Sequence, residues 1–316
     1  MKRSFINKSV YLAMALAFLP AIARAAEWRI DPSFDFRAGY NDNIRLSVQN
    51  EVSSAEAGFS PRASFSRNTE ISGLAGIVDL DFRRYEESSD LDENNARFEL
   101  DGYRNLERGR LSLNLAYIND TTLNTQLEAT GITLGRVDRQ RYTAAPGWSY
   151  FFSPRNRLDL RYTFNDVSYS NVGLVPYIDY RVNAGQASLV SVLNEQITAS
   201  ATLSHSASTN DNDVDSSNTG LNVGVEYRFS KTLTASLSAG ARYTKTDFTR
   251  NTSIPILDGN VFVGAIPLSQ DISNSDWGYT YNVSFKRKGL RGDIELSASQ
   301  NISNDINGQP IEVLQL

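Results

Sequence analysis

No cysteine occurs among the 316 residues of the chain, and only one histidine, two methionines and nine prolines do. Without thiols there is no disulfide framework, no thiolate metal site and no cysteine for lipid attachment. Long apolar runs are missing too. Beyond residue 26 no stretch approaches the roughly 20 apolar residues that a membrane-crossing helix needs, which excludes a helical membrane protein. A basic excess is also lacking: 31 Lys and Arg stand against 36 Asp and Glu, a net charge of −5 that argues against a nucleic-acid partner. No glycine-rich phosphate loop, HExxH or EF-hand pattern occurs. The run Asp211-Asn212-Asp213-Val214-Asp215 begins like a calcium loop but lacks the glycine and distal glutamate, so no metal and no cofactor is expected.

The N-terminus reads as an export address. Lys2, Arg3 and Lys8 precede an apolar core from Val10 to Ile22, and Ala23-Arg24-Ala25 supplies a small-x-small cleavage motif. Residues 1–26 are therefore expected to be a signal peptide and residues 27–316 the mature domain.

That domain repeats one pattern. Ile30, Phe34, Phe36, Ala38 and Tyr40 interleave with Arg29, Asp31, Ser33, Asp35 and Arg37, and Leu221, Val223, Val225, Tyr227 and Phe229 with Asn222, Gly224, Glu226 and Arg228. Period-two alternation puts the two sets on opposite faces of a strand. Thirteen such runs are read, at 28–44, 53–67, 71–85, 95–104, 110–119, 139–152, 156–168, 178–190, 195–206, 216–229, 232–246, 275–287 and 290–301. The connections alternate short and long without exception, the long ones being 85–95, 120–138, 168–178, 207–216 and 246–274. Near-ten-residue strands with alternating connections predict an all-β fold: a transmembrane antiparallel up-and-down β-barrel of the bacterial outer membrane. A mean hydropathy of −0.36 fits, because only alternate residues would meet lipid. Bulges are expected at Pro61 and Pro146. Thirteen is an odd count, and Ile311 to Leu316 reads as the start of a further strand, so the barrel is expected to be incomplete at its C-terminus.

Charges sort by end. Glu86, Glu87, Asp90, Asp92 and Glu93 crowd one long loop, and Asp211, Asp213 and Asp215 another. Arg104, Arg108, Arg110, Arg155, Arg157, Lys286, Arg287 and Lys288 sit at short turns. The first loop is a candidate contact for divalent cations bridging lipopolysaccharide, because hard cations prefer carboxylate oxygens. Aromatics at strand ends, from Tyr40 and Tyr85 to Tyr117, Trp148-Ser149-Tyr150-Phe151-Phe152, Tyr243, Trp277 and Tyr279, suit interfacial girdles.

By parity the lumen-facing charges are Arg29, Asp31, Asp35, Arg37, Arg62, Asp79, Asp81, Arg83, Arg97, Glu99, Asp101, Arg141, Arg157, Asp159, Arg161, Arg181, Glu226, Arg228 and Arg242. They either pair across strands, Arg83 with Glu99 or Asp101 for example, or line a wet conduit. The conduit is favoured, because thirteen or more strands enclose more space than side chains fill. A lipid hydrolase would need His205 to activate a serine. Ser204 and Ser206 alternate to the other face, so no enzyme is expected.

Several phrases carry a resemblance: Ala26-Glu27-Trp28-Arg29-Ile30-Asp31-Pro32, Tyr40-Asn41-Asp42-Asn43-Ile44-Arg45-Leu46, Leu106-Glu107-Arg108, Asp138-Arg139, Trp148 to Pro154, and Asp166-Val167-Ser168-Tyr169. Together they resemble the outer-membrane β-barrel family associated with exosortase (PEP-CTERM) systems and exopolysaccharide gene clusters. The resemblance implies a part in exporting or organising surface polysaccharide and carries over no catalytic residue. The partners expected are outer-membrane lipid and lipopolysaccharide, the barrel-assembly machinery, and polysaccharide or its export proteins. A porin-like channel or export component is the leading expectation, a non-conducting scaffold the alternative.

Overall fold

The computed structural model describes residues 28–43, 52–121, 137–170, 177–258, 261–289, 292–304 and 310–315. Alternating polar and apolar residues cannot bury a helical stripe, and here they extend into fourteen strands. These are β1 (Trp28–Asn41), β2 (Ser54–Asn68), β3 (Ser72–Tyr85), β4 (Glu93–Leu106), β5 (Gly109–Thr121), β6 (Asp138–Ser153), β7 (Asn156–Ser170), β8 (Tyr180–Val192), β9 (Ile197–Asn210), β10 (Val214–Arg228), β11 (Leu233–Asp258), β12 (Val261–Lys288), β13 (Asp293–Asn304) and β14 (Pro310–Gln315). They form one sheet in which each strand pairs antiparallel with its sequence neighbours. Among the described residues no ladder joins β14 to β1.

The register fixes which residues share a face. One row of partners runs Pro32, Ala63, Val78, Phe98, Tyr117, Tyr142, Asp166, Arg181, Thr209, Asp215, Asp247, Ser273. Pro32 lies four residues from the turn end of β1, and Ser273 fifteen from that of β12. The stagger is thus one residue per strand. With about 3.3 Å per residue and 4.8 Å between strands, it tilts the strands by about 35°, as barrel closure requires. A flat sheet of antiparallel hairpins would show no such drift.

The solvation is inverted relative to a water-soluble domain. Leu221 (56% exposed) and Val223 (58%) lie on central strand β10, and Trp277 (72%) on β12, all on the apolar face. Ser54, Glu93, Arg139, Ser188, Ser208, Ser216, Arg242 and Ser299 are instead withdrawn from the surface, all on the opposite face, where Val167 and Val182 are buried too. Curvature crowds side chains on the concave side, so the polar face is the inner one. Apolar side chains outside and charges inside require a hydrocarbon surround.

Aromatic pairs edge the apolar face. Tyr150–Phe152 (centroids 5.1 Å) and Tyr227–Phe229 (4.5 Å) sit at the turn end, Tyr243–Trp277 (5.1 Å) toward the loop end. From Tyr227 to Thr219, the partner of Tyr243, is eight residues. At the tilt above that spans about 22 Å, close to the apolar band of known barrels. On this face the Phe65 ring lies over its cross-strand partner Gly76, where an added Cβ would stand 2.3 Å from the ring.

Several expectations are corrected. Residues 246–274 are not a loop: β11 and β12 run to 26 and 28 residues and continue as a two-stranded hairpin. Above Phe248, β11 pairs only with β12. Pro255 on β11 and Pro267 on β12 fall in this ribbon, whose two open edges tolerate a missing donor. The 207–216 loop contracts to a turn at Asp211–Asp213, with Asp213 at φ 56°. The further strand expected from Ile311 is present as β14, Pro310–Gln315. Pro61 and Pro146 make no bulge. They interrupt the β2–β3 and β6–β7 ladders with the register unchanged, while Pro61 still faces Phe34 and Pro146 still faces Leu113. The register shifts instead at Phe151/Ser153 and Ile256/Leu257.

Candidate functional site

The polar face is the candidate site, and its charges are organised along the strands. Residues two apart on one strand point the same way about 6.6 Å apart, within reach of an arginine and a carboxylate. Six such pairs form: Arg29–Asp31 (2.7 Å), Asp35–Arg37 (2.7 Å), Asp81–Arg83 (3.2 Å), Arg97–Glu99 (2.9 Å), Arg157–Asp159 (2.8 Å) and Glu226–Arg228 (2.9 Å). Their order is systematic. In the turn half, Arg29, Arg157 and Arg228 lie nearer the turns than their carboxylates; in the loop half, Arg37, Arg83 and Arg97 lie nearer the loops. Within these six pairs the carboxylates therefore lie on the mid-wall side and the arginines toward the mouths.

Cross-strand pairing is the minority pattern. Arg62 binds Asp79, directly opposite on β3. Lys286 meets Glu295 at 2.8 Å. The expected Arg83–Glu99 and Arg83–Asp101 pairs do not form. Arg83 faces Glu93, Glu99 faces Ile77 and Asp101 faces Ala75, so the register holds them far apart. Asp101 accepts instead from Asn114 Nδ2 at 2.9 Å.

Arg181 is displaced from the expected set. It stands opposite Asp166 on the apolar side, 2.9 Å from that carboxylate and 5.8 Å over the Phe164 ring. Close to the loop end, that face has left the hydrocarbon band, so a charge there stays wet. Arg141, Arg161 and Arg242 keep their place on the polar face, and Arg242 donates to Thr244 Oγ1 at 3.0 Å.

One tight cluster narrows the inner face near the loops. Val137, Val167, Tyr177 and Val182 are buried there, with the Tyr169 ring centroid 5.0 Å from that of Tyr177 and tilted by 33°. Beside them Arg139 forks onto Asp120 with bonds of 2.9 and 2.6 Å, its side chain 11% exposed. Parity signals Arg139 as plainly as Arg141, but pairing with Asp120 needed the register.

Two carboxylates of the acidic loop are engaged locally. Asp92 accepts from the Tyr85 amide at 2.9 Å and sits 3.7 Å from Arg84, and Glu93 is 3.9 Å from Arg83. Glu86 and Glu87 face solvent, and the Asp90 side chain lies outside the described residues. Among the described residues no three metal-ligating side chains converge. His205 projects from the apolar face in the row Tyr162, Gly185, His205, Thr219, Tyr243, Trp277. Its Nδ1 lies 2.8 Å from Thr219 Oγ1, with Ser204 and Ser206 on the other face.

No known protein family matches the chain, and no curated protein matches it. Solved structures do. The ferric-catecholate import receptor Fiu of E. coli K12, in its open form, aligns at a TM-score of 0.52 with 10% identity, covering 79% of this chain. The chain spans about half the length of that receptor, 54% of it. A bacterial polysaccharide outer membrane secretin aligns at 0.44 and 10% identity over 92% of this chain and 94% of its own. OmpT, an outer membrane protein of Vibrio cholerae, aligns at 0.38 and 9% identity over 81% and 100%. The receptor alignment, the staggered antiparallel ladder and the inverted solvation define the class: a transmembrane up-and-down β-barrel of the outer-membrane kind.

Proposed function

We propose that the chain works as a porin-like outer-membrane conduit for hydrophilic solutes, exported through residues 1–26 as a signal peptide. Exopolysaccharide is the solute its sequence resemblance points to. The observation that carries the reading is the inner wall. It is polar, holds both signs of charge in paired form, and belongs to a sheet of fourteen strands. A closed cylinder of fourteen strands at this tilt would have a radius of about 13 Å, too wide for side chains to fill. Arginine–carboxylate couples toward both mouths give no single-sign filter, which suits a passive path over a selective one. Binding and orienting need no bond chemistry here, and no enzymatic step is proposed.

The buried cluster around Tyr177 favours one alternative, a barrel narrowed enough to act as a non-conducting anchor for surface polysaccharide or a periplasmic partner. Conductance of the purified chain in planar bilayers separates the two. Stepwise currents that scale with salt support the conduit; a folded, inserted protein that passes no ions refutes it.

A further inference from the structure

Most arginines of the inner wall have a carboxylate beside them, and two that lack one face a common hollow. Arg110 and Arg161 are exposed, and among the described residues neither has an acidic partner. They line a single hollow of about 270 Å³ together with Asn68, Asp101, Tyr103, Ser112 and Asn114. A smaller hollow of about 130 Å³ continues past Arg161 toward Gln186, Ser204 and Asn218.

The local geometry explains why this part of the wall is open. Arg161 stands between Gly147 on β6 and Gln186 on β8, and Gly147 in turn faces Ser112 on β5. With no side chain at Gly147, the Ser112 hydroxyl occupies the space where a Cβ would come within 2.6 Å of it. Arg110 is held from the other side. Its guanidinium lies 3.9 Å over the Tyr103 ring, which is pressed flat on its cross-strand partner Gly73. Arg110 is one rung below Ser112, so the two arginines start about 12 Å apart at Cα, and both line the hollow.

We propose that this hollow is a binding subsite for a carboxylated sugar, a hexuronate unit of a saccharide chain. The class follows from the donors. A guanidinium suits a carboxylate, which it can bind with paired N–H donors, and the hollow offers one at each side. Asp101 lowers the local charge to a net +1 and opposes a densely charged phosphate. With one oxygen already bonded to Asn114, Asp101 accepts from a sugar hydroxyl, as do Asn68 and Ser112. The proposal rests on the conduit reading for its solute, and its test must not depend on conduction.

Two measurements on the full mature chain in detergent and in bilayers keep the readings apart. In calorimetry, trigalacturonate is expected to bind the folded chain at least about tenfold more tightly than maltotriose, with affinity falling as salt rises. Arg161→Gln and Arg110→Gln are each expected to weaken trigalacturonate about tenfold and leave maltotriose unchanged. Arg155→Gln, on a turn, is expected to change neither. Equal affinity for the charged and neutral trisaccharides, or undiminished binding in both folded arginine variants, overturns the subsite. In bilayers, trigalacturonate is expected to interrupt the current of the unaltered chain more often than that of Arg161→Gln. Binding without any conductance would leave the subsite standing and refute the conduit.

Discussion

The inverted solvation can be tested at one depth with two substitutions. Val223 lies midway between Tyr227 and Thr219, four residues from each, so it sits about 11 Å from either edge of the apolar band. Ser238 faces Gly224, the next residue along β10, from the polar side. The pair thus shares a depth and differs in face. At the middle of a bilayer, arginine on the outer face of a barrel costs about 2–4 kcal/mol. That is roughly a 30- to 900-fold loss in the folding equilibrium for Val223→Arg. Ser238→Arg enters the hydrated interior and should stay within about 0.5 kcal/mol, as surface changes do. Urea titration of folding into short-chain lipid vesicles reads both, with heat-modifiable gel mobility confirming the folded state. A water-facing Val223 predicts the opposite, because arginine at a site 58% exposed to water is nearly neutral. If Val223→Arg folds as stably as the unaltered chain, the assignment of faces is wrong everywhere, since one ladder links them all.

Removing one member of the Arg139–Asp120 fork by Asp120→Asn should cost about 2–3 kcal/mol in the same titration, with part regained in Asp120→Asn/Arg139→Gln. Neutralising the half-buried Glu99, paired with Arg97 on its own strand, should change stability by about 1 kcal/mol, yet shift the reversal potential in a salt gradient toward anions. Gly76→Ala forces the Phe65 ring and the Glu99 carbonyl aside and should destabilise by about 1–3 kcal/mol, with Phe65→Leu relieving it. Replacing residues 250–270 with a two-residue turn should leave folding intact, because β11 above Phe248 pairs only with β12; loss of heat-modifiable mobility would contradict the ladder.

Faces were legible in the sequence because each is a matter of parity. Leu111, Leu113 and Leu115 name the outer side of β5 and so assign Arg110, Ser112 and Asn114 to the inner one. Register was not legible, because any shift by two residues preserves parity. That is why Arg83 was matched with Glu99 and Asp101 when its neighbours are Asp81 and Glu93. Arg181 misled for a different reason. Above the hydrocarbon the outer face turns polar, so a charge there mimics an inner residue, and its partner Asp166 does the same. Residues 246–274 read as a long connection, and that their two halves pair with each other is again a matter of register.

Each arginine–carboxylate couple along a strand is a small dipole with an axial component. Those near the turns aim their positive ends one way, and those near the loops aim theirs the other. Summed over the wall, the two families oppose, and their far fields largely cancel. In the proposed conduit the couples themselves would therefore present the same profile from either end. Any difference in current between positive and negative voltage would then report the end charges, acidic at the loops and basic at the turns.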